Sequence, residues 1–556
     1  MQNEKYVSRE MFHASRKTAA AFLSGILFFC AFPPFEYFFL AWLAPVPLIY
    51  LCFCSKPRES FRYGFLAGAV FWLASIFWLT KVSFIGWFFI ALYCALYFAV
   101  FAFIVSWWFN LMCSQPQADT SAAESLKIAS VMGGTACRRP DRRAPCPPSP
   151  LNPIFLFGLP AVWVGLEYIR AHFLTGFPWN LLGVSQYAWH TLIQCADWGG
   201  VYLVSYLIVM GNVAFALLIY NRREAGPASG AALVLFLLIF CLVLGYGRWR
   251  LSRPPEQLEA IRAAAVQLNV PQQFKWSEDW ANDIYRRLRE STAAVCKTAP
   301  PDLIVWPETA LPDFMRYCEP SRKAVHETLR FRIPLLVGSM DYELLPGRTN
   351  YFNSSFLIFP AGRPAQVYEK RHLVIFGEYV PLADYLPFLR SIAGVEEDFT
   401  PGTKNVVFRL NNGRQIFSVL ICFEDTLPYL ARECVRAGAR LLINQTNDAW
   451  FDPSWASRQH MAHCVFRCVE NRVACLRAAN TGLTCYIDRF GMIRSALEPC
   501  RIMLDEPQIM RSKVEFAPVN MPLTFYTRHG DLFAMACLAF SLPLFIGALL
   551  GFLRKR

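Results

Sequence analysis

The sequence predicts a multi-pass α-helical membrane bundle of eight spans that carries one extracytoplasmic α/β domain. Three observations predict it. Apolar stretches of about 20 residues, the length that crosses a hydrocarbon core, recur along the first 250 residues and once more near the C-terminus. Lys/Arg clusters fall in every second loop. Between 258 and 515 the pattern changes to short β-rich runs alternating with amphipathic stretches. At 556 residues and 55% hydrophobic, the chain is too apolar for an ordinary soluble protein and too long for one domain.

The candidate spans lie at about 18–35, 37–54, 63–81, 84–110, 153–171, 196–220, 229–247 and 530–552. Only Pro33, Pro34 and Glu36 separate the first two, which predicts a tight helical hairpin. The first is too long and too closely followed by others to be a signal peptide. Orientation follows from the cations. Lys5, Arg9, Arg16 and Lys17 precede the first span, and Lys56, Arg58 and Arg62 follow the second. Lys127, Arg138, Arg139, Arg142 and Arg143 follow the fourth, Arg222 and Arg223 the sixth, and Arg554, Lys555 and Arg556 end the chain. With eight spans all five clusters fall on one side, so both termini are expected in the cytoplasm and 248–529 outside it. The net charge of +13 is then accounted for by membrane anchors. No basic stripe with interleaved aromatics or nucleic-acid motif is present, so no nucleic-acid partner is expected. The 48 Phe and 16 Trp suit lipid-facing helices with aromatic belts. The domains expected are a membrane domain at 1–250, an α/β catalytic domain at 258–515 and a last membrane helix at 530–552. Residues 113–152, ending RRPDRRAPCPPSP, have too little apolar content to fold and are expected to be a disordered cytoplasmic loop.

Within 258–515, IRAAAVQLNV, PDLIVWPETALP, IPLLVGSMDY, NSSFLIFPAG, FSVLICFEDT, ARLLINQTNDAWF and LTCYIDRFG read as strands, and 278–297 and 455–475 as covering helices. Three strand ends carry reactive residues: Glu308 after LIVWP, Lys370 in VYEKRH and Cys422 in VLICFED. Singly, each has a plainer reading, as a solvated loop carboxylate, a surface cation and a core thiol. Together, at strand ends that line the crevice of α/β sheets, they make a working set. The carboxylate takes and returns a proton, the ammonium stabilises a thiolate or oxyanion, and the thiol attacks.

VWPETALPD, YEKRHLVIFGEYVP, ICFED and NQTNDAWF resemble the nitrilase, or carbon–nitrogen hydrolase, superfamily, and within it the apolipoprotein N-acyltransferase family. GFPWNLLGVSQY at 176–187 and DWGGVYLVSYLI at 197–208 resemble that family's membrane region. The resemblance implies an αββα sandwich with Glu308 as general base, Cys422 as nucleophile and Lys370 as oxyanion holder, aided by a backbone N–H near Phe423. It implies support from Glu378 and Glu424, and lipid-lining or gating roles for Trp179 and Trp450. Asn353, in NSS, is expected to face the crevice rather than to carry a glycan, and Tyr379 to belong to a lid. It implies acyl transfer, through a Cys thioester and by ping-pong kinetics, from a membrane phospholipid to the N-terminal amine of a diacylglyceryl-modified apolipoprotein. The setting implied is a bacterial inner membrane, with no cofactor or metal; nothing in the sequence calls for an obligate oligomer, and a monomer is expected. Phe423 and Ile375 stand where the family commonly has Tyr and Pro. The stretch FGEYVPLADYLPFL after Lys370 is expected to act as a lid. Two other functions remain open on the residues: a membrane-anchored amidase using water as second nucleophile, and a transporter with an extracytoplasmic binding domain. Apart from Glu167, Arg170 and Asn212, the spans carry few of the polar groups a transport path needs. His460 and His463, without further ligands, read as structural, and Cys464, Cys468, Cys475 and Cys485 as disulfide partners whose pairing the sequence leaves open.

Overall fold

The computed structural model describes residues 2–113, 153–224, 230–252, 258–360, 366–383, 385–388, 390, 397–497 and 506–553. The expected disordered stretch 114–152 and the cationic end 554–556 lie outside the described residues.

The N-terminal part is helical. Its helices are α1 (Gln2–Cys30), α2 (Pro45–Phe53), α3 (Pro57–Ser75), α4 (Phe84–Cys113), α5 (Pro153–His172), α6 (Ala196–Glu224) and α7 (Ala231–Leu251). Four described helices are long and apolar enough to cross a membrane: α4, α6, α7 and the C-terminal helix at Leu532–Leu553. The second expected span is interrupted. Phe38–Trp42 is a 3₁₀ turn and α2 has nine residues. At 1.5 Å per residue that gives about 14 Å, half a hydrocarbon core. The third expected span also breaks, α3 ending at Ser75 before a 3₁₀ turn at Phe77–Lys81.

The C-terminal part is built from α8 (Glu278–Thr298), α9 (Glu319–Leu329), α10 (Pro428–Arg436), α11 (Ala456–Asn471) and twelve strands. These are β1 (Ala260–Gln267), β2 (Leu303–Val305), β3 (Leu335–Leu345), β4 (Arg348–Ile358), β5 (Gln366–Glu369), β6 (Phe408–Leu410), β7 (Gln415–Ile421), β8 (Leu441–Thr446), β9 (Ala474–Ala479), β10 (Cys485–Ile487), β11 (Ile493–Ala496) and β12 (Gln508–Glu515). Among the described residues they form two six-stranded sheets, ordered β12-β1-β2-β3-β4-β5 and β11-β10-β9-β8-β7-β6. The central pairs β1–β2, β2–β3, β7–β8 and β8–β9 are parallel and the outer pairs antiparallel. Alternation along the strands places Ile261, Leu303, Val305, Phe417, Val419, Ile421 and Leu476 in one core between the sheets. The opposite faces are covered by α8 and α9 on the first sheet and by α10 and α11 on the second. This is an αββα sandwich. The helix expected at 455–475 ends at Asn471. Arg472 takes the left-handed conformation, φ 57°, and the chain turns straight into β9, a strand the pattern did not reveal because every residue in it is buried.

The two parts share one apolar core. Leu430, Val465 and Phe466 of the sandwich belong to the same buried cluster as Phe28, Trp163 and Val201 of the bundle. Gln459 on α11 fixes the contact. Its Oε1 accepts from Trp179 Nε1 at 2.7 Å and Trp78 Nε1 at 3.0 Å, and its Nε2 donates to the carbonyls of Pro33 and Ser75, each at 3.1 Å. Arg472, buried, pairs with Asp197 of α6 at 2.6 Å.

Candidate active site

Each of the three residues singled out by the sequence follows a strand. Glu308 lies three residues past β2, Lys370 directly follows β5, and Cys422 directly follows β7. The first two come from one sheet and the third from the other, so the three residues meet across the two sheets. Gly338 on β3 permits this. A Cβ there would stand 2.2 Å from the Pro307 carbonyl and 2.8 Å from Glu308 Cα, so only glycine lets the turn carrying Glu308 lie on the sheet.

Lys370 is the electrostatic centre. Its Nζ donates to Glu378 Oε1 at 2.8 Å and lies 3.7 Å from Glu308 Oε1. Burial works against its charge, but Glu378 and Glu308 outweigh burial and hold the ammonium above its usual pKa. Asn353 Nδ2 donates to Glu308 Oε1 at 2.8 Å and to Glu378 Oε1 at 3.2 Å, bridging the two carboxylates. Glu378 Oε2 accepts from the Val374 amide at 2.9 Å, which closes the loop over its own carboxylate.

Cys422 has φ 51°, left-handed backbone that a non-glycine residue adopts only where the surroundings impose it. Those surroundings are visible. Its carbonyl accepts from Asn444 Nδ2 and lies by His460 Nε2, each at 3.2 Å. The half-buried thiol is pushed up by burial and by Glu308, with Lys370 drawing the other way. Two carboxylates reach the thiol with their charge, Glu308 more strongly than Asp448, and both favour its neutral form.

Glu424 is fully buried and accepts only from donors: Tyr368 Oη at 2.8 Å, and the amides of Ile421 at 2.8 Å, Arg371 at 2.8 Å and His372 at 3.1 Å. It therefore ties the segment after Lys370 to the residue before Cys422. Phe423 stacks on buried Trp179 with ring centres 6.2 Å apart and planes 4° apart, which brings the bundle to the residue next to Cys422. Tyr379 is half-buried, and its carbonyl accepts from the Phe376 amide at 2.8 Å in a tight turn. Trp450 is exposed, on a loop whose next residue, Phe451, packs on Trp78 at 4.5 Å. Phe376, Leu382, Tyr385 and Phe388, past Lys370, present large apolar side chains to the exterior.

Two features escaped the sequence. Lys275, buried, donates from Nζ to the Glu308 carbonyl at 3.1 Å, and burial lowers its pKa to about 8. Nothing in QQFKWSE marks it, since its role depends on a turn folding over β2. Beneath Cys422 lies a closed charge network. Arg477 Nη1 donates to Asp425 Oδ2 at 2.7 Å and Nη2 to Asp448 Oδ2 at 2.9 Å. His460 stands between the same carboxylates, Nε2 2.7 Å from Asp425 and Nδ1 3.0 Å from Asp448. Burial and the two acids oppose one another on His460, and the acids prevail despite Arg477, raising it to about 9. Among the described residues no cluster of three or more His, Cys, Asp or Glu is arranged to hold a metal ion.

A carboxylate, an ammonium and a thiol follow strand ends of an αββα sandwich, the arrangement expected of a carbon–nitrogen hydrolase-type site. Residues 262–500 match the carbon-nitrogen hydrolase domain, and residues 24–214 match the apolipoprotein N-acyltransferase N-terminal domain. The apolipoprotein N-acyltransferase of Geobacter metallireducens is 36% identical over 528 residues, spanning 93% of this chain and 92% of the relative. That of Chlorobaculum tepidum is 28% identical over 570 residues, 96% of each. A solved structure of Saccharomyces cerevisiae Nit3, of branch 10 of the nitrilase superfamily, is similar at 20% identity over 47% of this chain and 93% of its own, with a TM-score of 0.34. The chain belongs to the apolipoprotein N-acyltransferase family.

Proposed function

We propose that the protein transfers an acyl chain from a membrane phospholipid to the N-terminal amine of a diacylglyceryl-modified apolipoprotein. The observation that carries this reading is a half-buried thiol within electrostatic reach of a buried carboxylate and a buried ammonium, in a sandwich whose core is continuous with apolar helices. Glu308 takes the thiol proton as Cys422 Sγ attacks the ester carbonyl. Lys370 Nζ, with a backbone N–H near Phe423, receives the developing oxyanion. Collapse expels the lyso-phospholipid alkoxide, which takes the proton from Glu308. The lipoprotein amine then attacks the thioester, Glu308 removes its proton, and the second collapse expels the Cys422 thiolate, which takes that proton back from Glu308. Glu378 and Asn353 hold Lys370 and Glu308 in register, and Glu424 sets their distance from Cys422.

The lipid substrates ask for a crevice at bilayer level. We read the chain as an inner-membrane protein of eight spans with a membrane domain at 1–250, a catalytic domain at 258–515 outside the cytoplasm and a last span at 530–552, working as a monomer. Trp179, Tyr379 and Trp450 line or gate lipid access, and the exposed apolar loop after Lys370 serves as a lid that dips toward acyl chains.

The test is initial-rate kinetics with phospholipid and a diacylglyceryl peptide. Parallel double-reciprocal lines, with lyso-phospholipid released before peptide is added, are expected. Intersecting lines with no release before peptide would overturn the covalent route, and hydrolysis with no N-acyl peptide would favour an amidase-type activity.

A further inference from the structure

Helix α11 and strand β9 are the elements that bring His460 and Arg477 together under Cys422. Each also carries a cysteine on that same side. Cys464 is one helical turn beyond His460, and Cys475 is two residues before Arg477 on the same strand face. Both are fully buried, and their Sγ atoms lie 3.2 Å apart. Cys468, also fully buried, completes a triangle within hydrogen-bond reach of both. An S–S bond of about 2.0 Å needs only about 1 Å of further approach, within the reach of side-chain rotation.

We propose that Cys464 and Cys475 form a disulfide in the mature protein, and that it staples α11 to β9 directly behind the nucleophile. The inference rests on the extracytoplasmic placement proposed above, because thiols persist reduced in the cytoplasm. The step precedes the packing of α11. A thiolate of the pair attacks a disulfide-bearing protein oxidant and releases one of its thiols. The second cysteine then attacks the mixed disulfide and expels the other. The two thiols lose two electrons and two protons, and the oxidant's disulfide leaves as a dithiol. Cys468 is left as the unpaired member. The crosslink closes a short chain segment through Arg472, whose left-handed turn and ion pair to Asp197 anchor the sandwich to α6. It therefore restrains His460 against Arg477, and through them the Cys422 carbonyl.

The full-length protein is purified from its membrane, denatured without reductant in excess N-ethylmaleimide and mapped by peptide mass spectrometry. A linked pair of peptides containing Cys464 and Cys475 that separates on adding dithiothreitol, with maleimide on Cys468, is expected. Cys468→Ser should keep the pair and Cys475→Ser should abolish it. Phosphine treatment of the folded enzyme should lower the thermal midpoint of the parent but not that of Cys475→Ser. In parallel, spheroplasts are treated with a membrane-impermeant maleimide, read at half-exposed Cys318 of the same sandwich. Labelled Cys318 with maleimide on both Cys464 and Cys475, or a Cys464–Cys468 pair, overturns this inference alone. Cys318 that labels only after lysis overturns the placement and this inference with it.

Discussion

Replacing Glu424 by Gln changes one atom in a carboxylate that every neighbour approaches as a donor. Oε1 receives the amides of Arg371 and His372, Oε2 that of Ile421, and Tyr368 Oη reaches both. An amide must turn its NH₂ toward one side. The less costly choice places it at Oε2, where one buried N–H of Ile421 faces another donor, costing about 1–3 kcal/mol. The bonds from Arg371 and His372 survive but lose charge assistance, about 1 kcal/mol more in total. The sum is about 3 kcal/mol. Spread over a unit of about 250 residues, that lowers the thermal midpoint by roughly 6–12 °C. If about half is relieved by Lys370 and Cys422 moving apart, acylation slows about tenfold at 1.36 kcal/mol per decade. Both are measured on one preparation, by a thermal scan and by single-turnover accumulation of acyl-enzyme from phospholipid. A Glu424→Gln enzyme with parental midpoint and parental acylation rate would refute the claim that this carboxylate spaces the ammonium from the nucleophile.

Three further outcomes follow from the same pocket. Lys370→Met removes the proposed oxyanion donor and should lower acylation by roughly 10²–10³ in single-turnover assays while leaving the protein folded. Lys275 has its pKa lowered from 10.5 to about 8, so its buried ammonium opposes folding below pH 8 and the penalty is relieved as pH rises toward 10.5. Lys275→Met should therefore be more stable than the parent near pH 7, by about 2 kcal/mol after loss of the bond to the Glu308 carbonyl, with the advantage shrinking above pH 8. Gly338→Ala should leave β3 intact yet displace the Glu308 turn, which the 2.2 Å approach to the Pro307 carbonyl cannot absorb. Acylation should fall at least tenfold with a smaller loss of midpoint.

What the sequence made legible was what periodicity and chain order carry. Apolar runs ending in Glu308 and Cys422 were visible because β2 and β7 are continuous hydrophobic strands that stop abruptly. Lys370 was visible as a cation at a strand end, although β5 itself is short and half-buried and gave no strand signal. Buried charge was not legible. Arg477, Asp425, Asp448 and His460 lie on four different elements, and a polar residue in a sequence does not state whether its partner is water or another side chain. Strand β9 was hidden for a related reason. It is buried on both faces and follows α11 after only Arg472 and Val473, the first left-handed, so no alternation and no loop composition marks it. The 3₁₀ breaks within the second and third spans had no signature because hydropathy reports apolar surroundings and is blind to helix continuity. The left-handed backbone at Cys422 is imposed by neighbours distant in sequence and has no local signature.

The central claim is that Cys422 carries the acyl chain between two lipids. Purified enzyme is incubated with phospholipid alone, quenched in acid to preserve the thioester, digested and read by peptide mass spectrometry. One acyl group is expected on the peptide containing Cys422, removed by hydroxylamine at neutral pH and absent from Cys422→Ser. Acyl mass on any other residue, or lyso-phospholipid formed with an unmodified Cys422 peptide throughout the time course, would contradict it.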